Sequence, residues 1–422
     1  MPRVVLALAS LGAVVGVACS DTQTPLQPAS VSPQASGATS YEAIDLGTLG
    51  GGSSRANAIN DSGQIVGWSI TTSGVTHAFL WENRVMRDLG SIDPSDPTDF
   101  SEAQAIDNAG LVAGVGYQNG DRLIIWENGV LRDLGIEGGL TAQVEAMNAR
   151  ADLVVTPGRW DDYSPRAIVW HDGVLQDLGW LIPYGGTYAL AMNNRGQIVG
   201  ASIGYNSEAQ GFYHPFLWQD GVLRDLGVFG RVECEDPTDP SPCAAQGQAT
   251  GINERGQVVG WSQDSSGVHR PFLYQDGQMR DLGIFPGESV EPVAINQRGQ
   301  IAGTHWRYGP AGLESGAFLW DGGTVQDLGS LGPAIAVTAM NERGDVVGWS
   351  GANWFTAHAV VWRDGVMYDL GLGPAGGDYS QAVAINAAGE IIGVSREPGC
   401  CGAYHALLWR PAAAAPLAAA TR

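Results

Sequence analysis

Hydrophobic and polar residues alternate in short runs along most of this chain, and the same series of runs returns eight times. In the first copy, Ala58-Ile59-Asn60 is followed by residues 64–68 (QIVGW), then by residues 77–81 (HAFLW) and finally by residues 88–90 (DLG). Short alternating runs separated by turn residues predict β-strands, and no long segment has the periodicity of a helix. Because each unit must stack on the next to bury its apolar face, the pattern predicts one continuous repeat domain.

The residues between the runs divide each copy into four strands, which we name a to d in chain order. Strands a and b are joined by Asn-x-x-Gly, and strands c and d by Asn-Gly or Asp-Gly, which supply the positive φ angles of a two-residue hairpin turn. The c–d turns are at Asn128-Gly129, Asp172-Gly173, Asp220-Gly221, Asp276-Gly277 and Asp364-Gly365. Four strands in roughly 45 residues are typical of one propeller blade.

The two ends of the repeat region predict the number of blades. A lone d strand comes first, with its Asp-Leu-Gly at residues 45–47, and the last copy stops after strand c at Trp409. A first strand that completes the last blade closes the ring and removes exposed edges. The sequence therefore predicts an all-β fold over residues 42–411, an eight-bladed β-propeller of four-stranded blades closed by the N-terminal strand. A seven-bladed ring, with the weak third copy at 149–157 degenerate, is the alternative.

The motifs of the copies resemble those of the HAF-repeat family of bacterial extracellular proteins. The resemblance is carried by DLGTLGGG at residues 45–52, AINDSGQIVGW at 58–68 and HAFLW at 77–81, and it spans residues 43–409. It implies an exported repeat protein. The family brings no catalytic motif that could be transferred to this sequence.

The N-terminal segment indicates export. Residues 1–18, with Arg3 before an apolar run, predict a signal peptide. Gly16-Val17-Ala18-Cys19 resembles a bacterial lipobox, in which Cys19 would carry the lipid, although Gly16 stands where Leu is usual. Residues 19–41 then form the lipoprotein anchor and a flexible linker, and residues 412–422 a disordered Ala/Pro tail. We expect a lipoprotein of the outer membrane or cell surface, held to the membrane only by its lipid, with ordinary secretion as the alternative.

The charge of the chain excludes one class of partner. It has 44 acidic residues against 22 basic ones, a net charge of −22, which argues against binding of nucleic acid. Two acidic loops, at residues 93–99 and 233–243, raise calcium as a ligand, but their acids do not have the spacing of an EF-hand. We therefore predict no cofactor, with calcium as the alternative, and no metal site. Cys234 and Cys243 bracket the second loop and predict a disulfide, whereas the state of the adjacent Cys400 and Cys401 stays open.

Residues that recur in every copy are interpreted as structural. The aromatic residue that ends strand c is expected to pack between blades. The Asp of Asp-Leu-Gly is expected to bind nearby main-chain N–H groups. The histidines that open strand c, His77, His214, His358 and His405, are expected to form hydrogen bonds rather than to bind a metal ion.

Function is expected where the copies differ, in the b–c and d–a loops on one face of the ring. This face is rich in aromatic residues, which are enriched in recognition sites. The predicted ligand-binding residues are Trp160, Asp161, Asp162, Tyr163, Trp180, Tyr205, Trp306, Arg307, Tyr308, Trp354 and Phe355, with Arg55, Glu102 and Glu291 beneath them at the mouth of the channel.

These residues favour a binding module over an enzyme. The sequence offers no paired nucleophile and base, so no catalytic residue is predicted. The expected ligand is a cell-envelope glycan or a surface protein, and the protein is expected to be a monomer. The alternatives are an extracytoplasmic hydrolase or lyase with Glu102 or Glu291 as acid/base, and a purely structural or adhesive surface protein.

Overall fold

The architecture was analysed in a computed structural model. It describes residues 41–96, 98–117, 120–137, 141–158, 165–181, 185–205, 211–230, 246–310, 312–374, 376–398 and 402–412, with the main chain alone at 136, 137, 141, 142, 157, 158, 205 and 211. Over these residues the chain forms antiparallel four-stranded sheets that follow one another as blades around a ring. The same residues include no helix long and apolar enough to cross a lipid bilayer.

The strands follow the order predicted from the repeats. The first strand is β1 (Tyr41–Asp45). Blades 1 and 2 contain β2 (Gly50–Ile59), β3 (Ile65–Thr71), β4 (Thr76–Glu82), β5 (Val85–Asp88), β6 (Ser101–Ile106), β7 (Val112–Tyr117), β8 (Asp121–Glu127) and β9 (Val130–Glu137). Blades 3 and 4 contain β10 (Thr141–Met147), β11 (Leu153–Gly158), β12 (Ile168–His171), β13 (Val174–Asp177), β14 (Gly186–Met192), β15 (Ile198–Tyr205), β16 (Gly211–Gln219) and β17 (Val222–Asp225).

The second half of the ring repeats this arrangement. Blades 5 and 6 contain β18 (Gly247–Ile252), β19 (Val258–Gln263), β20 (His269–Gln275), β21 (Gln278–Asp281), β22 (Ser289–Ile295), β23 (Ile301–Gly309), β24 (Gly312–Asp321) and β25 (Thr324–Gly329). Blade 7 contains β26 (Ala334–Met340), β27 (Val346–Gly351), β28 (His358–Arg363) and β29 (Val366–Gly371). Blade 8 contains β30 (Tyr379–Ile385), β31 (Ile391–Arg396) and β32 (Tyr404–Pro411), and it is completed by β1.

The first strand closes the ring as predicted. β1 pairs antiparallel with β32, from Tyr41 opposite Pro411 to Asp45 opposite Leu407. The eight-bladed fold is therefore confirmed, and the seven-bladed alternative is wrong because the third copy forms the complete blade 3. Ser54 on β2 joins this closure to blade 1, since its hydroxyl donates to Gly47 O at 2.7 Å and accepts from Ala406 N at 3.1 Å.

The hairpin turns also have the predicted geometry. Asn128 and Asp172 in c–d turns have φ angles of 52° and 46°, and the glycines that follow them have positive φ as well. Asn-Gly and Asp-Gly tolerate this left-handed conformation, which lets two adjacent strands turn within two residues. The a–b and c–d turns therefore lie together at one end of each blade, which we call the turn face. The b–c and d–a loops lie at the opposite end, the variable-loop face.

The recurring aromatic residue of strand c packs between blades. Trp81 of blade 1 is buried with Ile392 and Leu408 of blade 8, and Trp362 of blade 7 is buried with Ala302 and Ala317 of blade 6. The sequence interpretation of these residues is confirmed. The eight residues in this position are Trp81, Trp126, Trp170, Trp218, Tyr274, Trp320, Trp362 and Trp409, and each is no more than 9% exposed.

The asparagine that ends strand a joins each blade to the next. In seven blades its Nδ2 atom donates to the main-chain oxygen of the equivalent residue in the following blade, at 2.9–3.5 Å; these donors are Asn60, Asn148, Asn193, Asn253, Asn296, Asn341 and Asn386. Asn386 donates to Asn60 O and so links blade 8 to blade 1. Blade 2 has Asp107 here, which has no amide to donate. We call this set the asparagine ring.

Strand a carries a bulge in each blade, and in every blade except blade 3, which has Val155 here, a glycine of strand b opposite the bulge lets the strands approach closely. In blade 1 the pairing of β2 with β3 shifts between Ala56 and Ala58. A Cβ atom on Gly67 would lie 1.9 Å from Arg55 O, so only glycine fits without a shift of the main chain. The bulged residue Asn57 turns toward the next blade and donates to Ala103 O at 2.9 Å.

Candidate functional site

The Asp-Leu-Gly aspartates build a regular frame at the variable-loop face. In every blade the Asp accepts a hydrogen bond from the N–H of the glycine two residues later, as Asp88 does from Gly90 at 2.7 Å. In seven blades it also binds a His or Arg at the start of strand c: His77–Asp88, Arg122–Asp133, Arg166–Asp177, His214–Asp225, Arg270–Asp281, His358–Asp369 and His405–Asp45, all at 2.7–3.0 Å. The structural interpretation of these aspartates and histidines is thereby confirmed.

A carboxylate and an imidazole meet between blades 5 and 6 at this face. Glu291 on β22, one of the predicted channel-mouth residues, has its Oε1 atom 2.7 Å from His269 Nδ1. The imidazole lies flat against Trp261, with ring centroids 4.0 Å apart, and it is nearly perpendicular to the ring of Trp306, with centroids 5.7 Å apart. The side chains of His269 and Glu291 keep 19% and 25% of their surface exposed. We call these four residues the His269 site.

The other predicted channel-mouth residues lie elsewhere around the ring. Arg55 pairs with Trp68 and Glu102 with Val115, which is the register position that Glu291 holds on blade 6. Asn57 donates to Glu102 Oε1 at 2.9 Å. Burial raises the pKa of Glu102, although the bond from Asn57 and the nearby Arg55 act in the opposite direction. Because blades 2 and 6 are opposite in an eight-membered ring, Glu102 and Glu291 do not form a neighbouring carboxylate pair.

Exposed aromatic side chains lie at the b–c ends of three consecutive blades. Those of blade 7 are on the loop itself, whereas those of blades 6 and 8 are at the ends of strands β23 and β32, not on loops as the sequence predicted. Tyr308 of blade 6 is 84% exposed, Phe355 and Trp354 of blade 7 are 69% and 51% exposed, and Tyr404 of blade 8 is 40% exposed. Trp354 rests on the buried Trp349 at 4.9 Å. Arg396 of blade 8 donates to Phe355 O at 3.3 Å, which ties the loops of blades 7 and 8 together. We call Tyr308, Trp354, Phe355 and Tyr404 the aromatic arc.

Two predicted binding residues have contacts that change their interpretation. The Arg307 guanidinium bridges Glu288 at 3.2 Å and Glu314 at 2.6 Å, so its charge is already compensated within blade 6. Trp180 is 41% exposed, but it lies on the loop between blades 3 and 4, away from the aromatic arc, and Arg166 covers its ring at 4.4 Å. The structure therefore does not place all the predicted aromatic residues in one site.

Several predicted residues fall outside the described part of the chain. These are Trp160, Asp161, Asp162 and Tyr163, together with Cys19, Cys234, Cys243, Cys400 and Cys401. Tyr205 is described by its main chain alone, opposite Gly211 at the end of β15. Within the described ranges, no group of three or more His, Cys, Asp or Glu side chains is arranged to hold a metal ion.

Sequence reasoning missed Trp261 and His269, although a signal was present. Trp261 belongs to a repeated Gly-Trp that also occurs at Trp68 and Trp349, so it was grouped with the scaffold. His269 precedes Arg270, which takes the usual place opposite the Asp-Leu-Gly aspartate. His269 lies one residue before the position that binds the Asp-Leu-Gly aspartate. Its imidazole is therefore free to take part in another contact, and this offset was the signal in the sequence. Glu145 was missed as well, and burial raises the pKa of this carboxyl on β10 to about 7.

Comparison with known proteins finds similar solved structures but no related sequence family. No protein-family model matches the chain, and no curated protein sequence matches it at a significant level. Among solved structures it is similar to a prolyl endopeptidase, with a TM-score of 0.53 and 11% identity, covering 81% of this chain and 54% of the other. The chain thus spans about half the length of that peptidase.

Two further solved structures are similar to this chain, one a protease domain and the other a lyase. One is the β-propeller domain of the Trilobed protease from Pyrococcus furiosus, with a TM-score of 0.48 and 11% identity over 75% of this chain and 95% of that one. The other is an oligogalacturonate lyase from Vibrio parahaemolyticus, with a TM-score of 0.47 and 10% identity over 87% and 93%. At 11% identity the likeness to the prolyl endopeptidase shows the fold alone.

Proposed function

We propose that the protein is an exported, lipid-anchored propeller of the HAF-repeat kind, which binds a cell-envelope glycan at its variable-loop face. The observation that carries the proposal is the His269 site, where His269 contacts two indole rings and bonds to Glu291, and where both side chains remain partly exposed. Aromatic rings pack against the apolar faces of a sugar ring, and a few fixed polar groups orient its hydroxyls. Cys19 would carry the lipid, and residues 20–41 would form the tether.

The aromatic arc supports the same proposal. Large aromatic side chains that are exposed on three adjacent blades have an unfavourable contact with water, which a ligand would remove. Trp and Tyr are also the residues that contribute most to recognition when a ligand covers them. A glycan chain that starts at the His269 site of blades 5 and 6 would continue along Tyr308 toward blades 7 and 8.

A binding screen tests the proposal. The full chain is applied to panels of bacterial envelope glycans, with and without calcium, and a ligand found there is titrated against the Trp306→Ala/Glu291→Gln variant. We expect binding to weaken about 10- to 100-fold, since each lost hot-spot contact contributes about 1.4 kcal/mol or more. The control is Val130→Ala/Val222→Ala, because these side chains are 68% and 61% exposed on the turn face.

The outcomes separate the proposal from its alternatives. Equal affinity of the His269-site variant and the control would refute the proposed site. If no glycan binds, the ligand is a surface protein or the protein has a structural role, and the glycan proposal is wrong.

The His269–Glu291 pair also favours a second candidate, a hydrolase or lyase in which Glu291 transfers a proton. A carboxylate bonded to an imidazole at 2.7 Å is a proton-transfer pair in many active sites. Mass spectrometry of a bound oligosaccharide would detect cleavage. Cleavage that is lost in Glu291→Gln and kept in Glu102→Gln would support this candidate, and an intact oligosaccharide would contradict it.

A further inference from the structure

Blade 6 lacks the basic residue that compensates the Asp-Leu-Gly aspartate in the seven other blades. Gly316 occupies the position at which the other blades place a His or Arg, and it is opposite His305 in the pairing of β23 with β24. Asp327 keeps its bond to Gly329 N at 2.8 Å, but its side chain is 59% exposed. No His or Arg among the described residues reaches Asp327 within 3.5 Å; His305 Nε2, at 3.9 Å, comes nearest.

His305 takes part of the space that this missing side chain leaves. A Cβ atom on Gly316 would lie 2.5 Å from His305 Nε2, so the imidazole fits only because residue 316 is glycine. In the equivalent place of blade 1, Ser69 accepts a bond from Leu49 N. The corresponding loop residue of blade 6, Phe285, has a φ of 46°, which is strained for a bulky side chain, and its ring stacks on His305 at 3.8 Å.

The Nε2 atom of the His305 imidazole has no hydrogen-bond partner among the described residues. His305 Nδ1 lies 2.7 Å from Glu288 Oε2, and in the neutral tautomer that donates this bond Nε2 is an acceptor. His305 is only 8% exposed, and its Nε2 atom is buried with no hydrogen-bond partner among the described residues. Asp327 Oδ1, also an acceptor, is 3.9 Å from this nitrogen. In that tautomer two acceptors lie near each other, and no side-chain donor among the described residues lies between them.

These groups line a cavity of about 240 Å³ with excess negative charge. Its walls include Phe285, Glu288, His305, Arg307, Glu314 and Asp327. Arg307 compensates Glu288 and Glu314 in part through its two ion pairs, whereas no cationic side chain in the described part of the chain lies within 3.5 Å of Asp327. The exposed carboxylate of Asp327, which lacks the His or Arg that seven other blades carry, is complementary to a positively charged donor.

We propose that this cavity binds a guanidinium group, the side chain of an arginine on a protein partner. The other blades show the complementary arrangement: the guanidiniums of Arg122, Arg166 and Arg270 bind their aspartates at 2.7–2.9 Å in the same position of the frame. In blade 6 the partner's arginine supplies the cation that the other blades carry at the position of Gly316, and it donates to the exposed carboxylate of Asp327. This inference rests on blade 6 alone and is independent of glycan binding.

The test uses a peptide and its uncharged analogue. The full chain is titrated by calorimetry with Gly-Gly-Arg-Gly-Gly and with the same peptide carrying citrulline, which has the shape of arginine without its charge. The arginine peptide is expected to bind at least about tenfold more tightly. Asp327→Asn should reduce its affinity at least about tenfold, whereas Asp281→Asn, at an aspartate already bound to Arg270, should leave it unchanged.

A second variant guards against an effect on folding. His305→Ser combined with Gly316→His gives blade 6 the residues that blade 1 has at Ser69 and His77, so it restores a pair that the fold already accommodates. This variant should fold normally and lose the arginine peptide. Equal binding of the two peptides, or undiminished binding in both Asp327→Asn and the double variant, would overturn the proposal. Glycan binding unchanged in these variants would keep the two sites distinct.

Discussion

The asparagine ring predicts opposite changes in stability for two substitutions: Asn253→Asp should destabilise the protein and Asp107→Asn should stabilise it. Asn253 is 1% exposed, and its Nδ2 atom donates to Gln257 Oε1 at 2.8 Å and to Asn296 O at 3.1 Å. Its Oδ1 atom accepts from the N–H groups of Arg255 and Gln257. Asn253→Asp keeps both accepted bonds and replaces both donated bonds by contacts between oxygens. Asp107→Asn makes the reverse change and supplies the donor that blade 2 lacks.

The magnitude follows from these bonds. Each donated bond contributes about 1 kcal/mol net, and a buried acceptor left without a donor costs about 1–3 kcal/mol, so Asn253→Asp should lower the free energy of unfolding by about 3 kcal/mol. Gln257 cannot rotate its amide to compensate without breaking its own 2.7 Å bond to Gln275. Asp107→Asn, which keeps the bonds to Ala109 N and Leu111 N, should add about 1 kcal/mol.

Thermal and urea unfolding measure both effects. The unfolding entropy of a domain of this size is about 0.8 kcal/mol per kelvin, so we expect a Tm about 4 °C lower for Asn253→Asp and about 1 °C higher for Asp107→Asn. The control is Asn128→Asp in an exposed c–d turn, where blade 3 itself uses Asp172, and it should leave Tm unchanged. A Tm for Asn253→Asp equal to that of the control would refute the reasoning that the asparagine amide joins the blades.

Two further predictions concern closure and pH. Ser54→Ala should lower the free energy of unfolding by about 2 kcal/mol in urea titrations, because it leaves Gly47 O and Ala406 N without their partner inside the ring closure; a loss below about 0.5 kcal/mol would contradict this role. Burial raises the pKa of Glu145 to about 7, so the folded state holds this proton more tightly than the unfolded chain and loses stability as the pH rises from about 4.5 through about 7. Glu145→Gln should remove that part of the pH dependence of Tm, and an unchanged profile would show that the carboxyl is not buried in the folded protein.

The parts of the fold that depend on local sequence were predictable. Asp-Gly turns, alternating strands and the lone first strand lie within single repeats or at their ends, so eight blades and the closure by β1 followed from them. The role of Asn253 was not predictable in this way. Its acceptor, Asn296 O, belongs to the next copy, and only the packed ring sets the distance between them.

The sites show where the repeat frame misleads. Comparing copies directs attention to long loops, and it correctly placed Tyr308, Trp354 and Phe355 on exposed surface. Comparing copies gives less weight to single substitutions inside strands. Two examples are His305, where blade 1 has a serine, and Gly316, where the other blades have a His or Arg. These two changes are far less conspicuous than a loop insertion, yet His305 fits only because residue 316 is glycine, and it lines a cavity together with Phe285 and Asp327.

The direction of β1 determines which face of the propeller lies nearest the N-terminal segment. As the outermost strand of blade 8, β1 begins at Tyr41, opposite Pro411, beside the turn face and ends at the variable-loop face. A tether that joins residue 41 to a membrane would therefore leave from the turn face and present the opposite face to the surroundings. When a captured ligand pulls away from the membrane, the load would draw β1 lengthwise against β32. All five residue pairs of the closure would then resist together, instead of separating one after another.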